Sequence, residues 1–148
     1  MERANLQNAA EALKIKEQVE VLTKGASMEP LLREHRDIAQ ISRAKPPFEK
    51  GDIVLYTRDN QNFILHRIVK IEKEGFVIRG DNNSFYERDI REEDIVGILT
   101  AVYRRGRYMP KESAKFKMFG ILNKVRFPFM IVCRKARQLI KKMLKSKV

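Results

Sequence analysis

Residues 62–79 read NFILHRIVKIEKEGFVIR. Two apolar runs, Phe63 to Ile71 and Phe76 to Ile78, flank the charged turn Glu72-Lys73-Glu74-Gly75. Ile, Val and Phe suit a pleated, half-buried backbone, and glycine supplies the turn, so the stretch predicts a β-hairpin. Comparable runs lie on both sides: Val19 to Thr23, Asp37 to Ser42, Asp52 to Thr57 and Asp94 to Tyr103. Turn formers such as Lys50-Gly51-Asp52 and Arg58-Asp59-Asn60 bound them. The predicted body is small and mainly β, not a chain of βαβ units, and it contains no internal repeat.

Helical spacing appears only at the two ends. Leu6, Ala10, Leu13 and Glu17 predict a helix over residues 3–17. From Phe129 onward, Val132, Ala136, Leu139, Ile140, Met143 and Leu144 recur at helical intervals, with Arg and Lys filling most other positions. That is a basic amphipathic helix, the pattern of a segment lying in a membrane interface. The alternative is a helix that packs its apolar face on the body and leaves its lysines in water. The division expected from these patterns is a helix over 1–18, a β domain over 19–109 and a basic helical tail over 110–148.

Charge follows the same division. The net charge of the 148 residues is +12. Residues 1–103 hold 16 Lys and Arg against 18 Asp and Glu, whereas residues 104–148 hold 15 against one, Glu112. The asymmetry points to an anionic surface meeting the tail. Aromatics are sparse among the basic residues after Phe129, which argues against base stacking and hence against nucleic acid. The single cysteine, Cys133, excludes an internal disulfide and a cysteine-rich zinc site, and it reads as a small hydrophobe. No metal or other cofactor is expected. The N-terminal residues show no apolar signal-peptide core, and residues 116–133 are interrupted by Lys117, Lys124, Arg126 and Pro128.

Three short stretches carry chemistry. In GASMEP, residues 25–30, Gly25 permits unusual backbone angles and Pro30 stiffens the chain after Ser27. Such a turn can present a hydroxyl and nearby N–H groups together, although serines near Gly and Pro are more often plain turn formers. In the strand, His66 shares a face with Ile64 and Ile68, while Leu65, Arg67 and Val69 face the other way. Partial desolvation favours a neutral imidazole, the form a general base needs. A core histidine bonded to a backbone carbonyl is the plainer alternative. His35, in the charged stretch LLREHRD, reads as surface. In RGDNNSFYERD, residues 79–89, Gly80-Asp81-Asn82-Asn83 is a turn, and Asp81 or a nearby acid can orient the histidine.

In this order, GASMEP, ILHRIVKI at 64–71 and IRGDNN at 78–83 resemble type I signal peptidases, and specifically the eukaryotic, archaeal and sporulation-type branch with a histidine base. Glu93-Asp94-Ile95-Val96-Gly97 resembles the closing strand of that family, and the likeness spans roughly residues 19–103. The resemblance implies a coiled antiparallel β-sheet body. It also implies serine endoproteolysis of a leader or signal-like peptide after small side chains. It assigns Ser27 as nucleophile, His66 as general base, Asp81 as the aspartate of the GDN motif and Met28 to the substrate pocket, with the Ser27 N–H serving an oxyanion. The chain departs from the family after GDNN, where SFYERD leaves Glu87 and Asp89 as alternatives for the acidic member.

It departs again before the serine, where the family carries a spanning helix and this chain has a polar one. Attachment through the basic tail, on the cytoplasmic side of a membrane, is the expectation. A self-cleaving repressor fits poorly, because such proteins carry several helices before the serine and use a lysine base. A catalytically inactive peptide- or nucleic-acid-binding module on the same fold is the remaining alternative.

Overall fold

The protein was analysed as a computed structural model, which describes residues 2–59 and 61–145. The expected turn at Arg58-Asp59-Asn60 ends on a residue outside that description. Eight antiparallel strands form one sheet: β1 (Gln18–Leu22), β2 (Asp37–Arg43), β3 (Ile53–Thr57), β4 (Phe63–Glu72), β5 (Gly75–Arg79), β6 (Glu87–Ile90), β7 (Ile95–Arg104) and β8 (Arg107–Pro110). Their order is β1-β2-β7-β3-β4-β5-β6, with β8 also paired to β7. Helix α1 (Glu2–Leu13) precedes the sheet and α2 (Ala114–Lys145) follows it.

The hairpin read from residues 62–79 is β4–β5, closed by the pair Glu72 and Gly75. Its register slips between Ile68 and Lys70, and further slips interrupt β2–β7, β3–β7 and β5–β6. Each extra residue bends its strand and increases the local twist, so the sheet coils. Strand β3 is buried along its whole length because both faces of the sheet are covered there. One core gathers Leu13 of α1, Ile41, Leu55, Leu65 and Leu99 of the sheet, Leu31 and Leu32 of the loop after the serine, and Phe116 of α2. The other lies inside the coil, with Phe48, Val54, Tyr56, Ile68, Ile78 and Ile90.

Three features differ from the sequence expectation. Strands β6 (ERDI) and β8 (RYMP) carry no apolar alternation and exist through pairing with β5 and β7. Helix α1 stops at Leu13 instead of reaching residue 17. Arg43 of β2 donates to the carbonyls of Leu13, Lys14 and Lys16, which ends the helix and turns the chain into β1. Helix α2 begins at Ala114, inside the tail expected over 110–148. Ser113 caps it by accepting the Phe116 N–H at 3.2 Å, and it continues through Pro128. Its first half packs Phe116 and Asn123 against the body, whereas Phe129, Val132, Leu139 and Ile140 are exposed. Beyond Pro128 the helix is largely exposed, with Met130, Ile131 and Cys133 part-buried. Among the described residues, no helix is long and apolar enough to cross a membrane.

Candidate active site

The loop from Thr23 to Leu32 is held at both ends. The Thr23 hydroxyl donates toward the carbonyls of Arg33 and Asp37, and the Gly25 N–H donates to Glu34. Gly25 has φ of 86°, in the left-handed region where a Cβ is costly. Beyond Ser27, Met28, Leu31 and Leu32 insert into the core. Arg104 of β7 donates to the carbonyls of Pro30 and Leu31 while pairing with buried Asp37 at 2.8 Å. Burial pushes the Asp37 carboxyl up, but hydrogen bonds from Arg36 and Arg104 outweigh it and hold the group below the usual range. Ser27 is thereby fixed at the mouth of a cleft.

The GDNN turn clamps the same loop from the other side. The Asn82 N–H donates to the Ser27 carbonyl at 2.8 Å, and its side-chain amide donates to the Ala26 carbonyl at 3.1 Å. Gly80 is required by close approach. A Cβ there would sit 2.8 Å from the Ser27 carbonyl oxygen and 2.9 Å from His66 Nε2. The missing side chain is what lets the serine loop and the histidine converge.

His66 is buried, and its two ring nitrogens face different partners. Nε2 points toward Gly80 and the serine loop. Nδ1 lies 3.4 Å from both the Tyr56 hydroxyl and Glu87 Oε1. The Tyr56 hydroxyl donates to that same Glu87 oxygen at 2.6 Å. The hydrogen bond to His66 lowers the Glu87 carboxyl below its ordinary range, against a smaller opposing effect of burial. Burial and the adjacent Glu87 push the Tyr56 phenol well up, so it stays a protonated donor.

Ser27 and His66 line one cleft of about 240 Å³ whose other walls include Met28, Val21, Phe63 and Leu65. No hydrogen bond joins the Ser27 hydroxyl to His66; such bonds often tighten only when substrate is bound. Among the described residues, none accepts a hydrogen bond from the Ser27 N–H.

The three candidate acids separate clearly. Asp81 has no hydrogen bond or ion pair to His66. It is buried on the Arg67 side of β4, where Arg67 Nε and Nη2 each donate to it at 2.7 Å and the Asn123 amide donates at 2.6 Å. Strand alternation explains this, since Arg67 and His66 are neighbours that face opposite ways. Asp89 is exposed, with φ of 59°. Glu87 alone reaches the histidine. Exposed His35 lies 3.8 Å from Glu34.

Tyr56 and Asn82 had no assigned part in the sequence reading. Tyr56 was legible only as one residue of the β3 run, and its contact with His66 depends on the β3–β4 register. Among the described residues, no cluster of His, Cys, Asp and Glu is arranged to hold a metal ion.

A coiled antiparallel sheet that brings a loop serine beside a strand histidine defines a serine-peptidase-type fold. A family model described as Peptidase S24-like matches residues 4–102, and the chain belongs to that family. Comparisons with curated proteins and with solved structures yield no match.

Proposed function

We propose that the protein is a serine endopeptidase of signal-peptidase type that cuts a leader or signal-like peptide after small residues. One observation carries the reading: the Ser27 backbone and His66 Nε2 converge on Gly80 while Glu87 engages the opposite ring nitrogen. In this scheme His66 Nε2 takes the proton from the Ser27 hydroxyl, and the oxygen attacks the scissile carbonyl carbon. The Ser27 N–H receives the developing oxyanion. The imidazolium, offset by Glu87, then returns its proton to the leaving amine, and water hydrolyses the acyl-enzyme. Met28 and the modest volume of the cleft favour small side chains beside the cut. The histidine, rather than a lysine, favours the Ser/His branch of signal peptidases within the wider S24-like family.

Incubation with a peptide containing Ala-x-Ala tests the activity. We expect cleavage after the second alanine by the wild type and none by Ser27→Ala. A folded wild type that binds such peptides without turnover, or an active Ser27→Ala protein, refutes it.

The exposed half of α2 supports attachment to an anionic membrane surface. Its apolar residues Phe129, Val132, Leu139 and Ile140 are uncovered. Basic side chains at such a surface contribute about 1 kcal/mol each, an attraction that salt weakens.

A further inference from the structure

We propose that the cleft beneath the first half of α2 binds an organic oxyanion with an apolar chain, anchored on Arg79. The β4–β5 register sets Arg67 directly opposite Arg79. Both are buried, at 7% and 5% exposure. Like charges directly opposite repel, and a buried guanidinium needs a counter-charge and acceptors.

One carboxylate, Asp81, is buried with them. Arg67 engages both its oxygens, and Asn123 donates to one of these as well. Among the described residues, the Arg79 side chain makes a single hydrogen bond, from Nη2 to the Asn123 side-chain oxygen at 3.3 Å. Its Nε and Nη1 are buried without an acceptor. Among the described residues, no acid pairs with Arg79, so the cluster holds two cations and one anion.

Aromatic rings cover the unmatched guanidinium, with Phe127 at 3.4 Å and Tyr86 at 5.6 Å from its carbon. Ring faces offset part of the charge but do not replace in-plane acceptors for the remaining N–H groups. Arg79 also lines a cleft of about 670 Å³ between the sheet and α2, within the size range of small-molecule sites. Ile68, Leu99 and Phe116 supply apolar wall. Lys50, Lys117 and Lys124 stand on its exposed rim beside Glu49 and Glu112, and Asp52 is paired with Lys111.

A missing negative charge, donors without acceptors and apolar walls together select a carboxylate or phosphate head on an alkyl chain. Because Nε and Nη1 are covered, the head reaches them from the cleft that Arg79 lines as the surrounding side chains shift. The remaining turns of that helix, from Phe129 on, are largely exposed.

Calorimetric titration of the full chain with octyl phosphate and with octanoate, below their micellar concentrations, tests the site. Inorganic phosphate and 1-octanol are the controls. We expect one saturable site per chain, a raised melting temperature, and binding at least tenfold tighter than either control. The preferred head group tells a lipid phosphate from a fatty acid. Arg79→Met should weaken binding at least tenfold while leaving the free protein as stable or more so, because it removes an unmatched buried charge. Arg79→Lys should keep part of the response. No saturable binding to the wild type, equal binding of either control, unchanged binding by Arg79→Met, or a destabilised Arg79→Met protein overturns the proposal.

Discussion

The two faces of β4 place adjacent residues in opposite chemical settings. On one face, His66 meets Tyr56 and Glu87 and turns its other nitrogen toward the serine loop. On the other, Arg67 is locked to Asp81, and Asn123 of α2 closes the pair. The first face ends in a cleft, where no described residue takes a hydrogen bond from the Ser27 hydroxyl or N–H. The second spends its acid on an ion pair. Two carboxylates from one short stretch, Asp81 and Glu87, thus differ in partner because the chain crosses from one side of β4 to the other between them. A nearby acid in sequence is not evidence of a nearby acid in space.

Removing the proposed base should break the first face most severely. His66→Ala is expected to reduce cleavage of an Ala-x-Ala peptide by about 10³-fold or more, as loss of a proton-transfer partner does in serine peptidases. His35→Ala, at an exposed site, should leave the rate within about twofold, since surface changes away from the reacting groups are usually near neutral. Steady-state kinetics on both variants decide this, and the reverse order of effects would assign the base to the other histidine.

The second face should respond in stability. Asp81→Asn leaves the Arg67 guanidinium buried without its counter-charge, and breaking such a pair costs about 3–5 kcal/mol. Urea unfolding should report that loss. Variant kinetics at a permissive temperature should keep the wild-type pH profile, because Asp81 does not touch His66.

Glu87→Gln sharpens the contrast. It should lower the cleavage rate by about 10²-fold, within the usual range for groups that support proton transfer. Its effect on stability should depend on pH in one direction. The carboxyl is held below its ordinary range in the folded protein, so its contribution is fully present above the unfolded value, near 4.3. That contribution is lost as pH falls through the lower folded value. The melting temperatures of wild type and Glu87→Gln should therefore differ at neutral pH and converge in acid. A difference that widens below pH 4 contradicts the assigned ion pair.

The smallest effect on the β-sheet body should come from deleting residues 129–148. Most apolar side chains in this half of α2 are exposed and none is fully buried, while Phe116, Asn123 and Phe127, which line the α2 cleft, are kept. Peptide cleavage should change by less than about twofold, as expected when no buried contact is lost, while sedimentation with anionic vesicles at low salt disappears. Deletion from residue 110 should instead unfold or strongly destabilise the protein, because it removes Phe116 from the core. Equal stability of the two truncated forms would show that the first half of α2 does not hold the body together.

By itself, the sequence determined much of this protein. Period-two runs of Ile, Val and Leu marked six of the eight strands, because each buries at least one face and must alternate or be wholly apolar. The GASMEP turn, the strand histidine and GDNN were legible as short local patterns. The placement of those parts relative to one another was decided only in three dimensions. Strands β6 and β8 lack apolar alternation and are held by hydrogen bonds from strands already in place. Glu87 reaches His66 because β6 pairs with β5, and Tyr56 reaches it because β3 and β4 pair in a particular register. Asp81 turns away because Arg67, one residue after His66, points to the opposite side and binds it. Register and sheet order are long-range properties set by the packing of both cores, and local pattern carries little information about them.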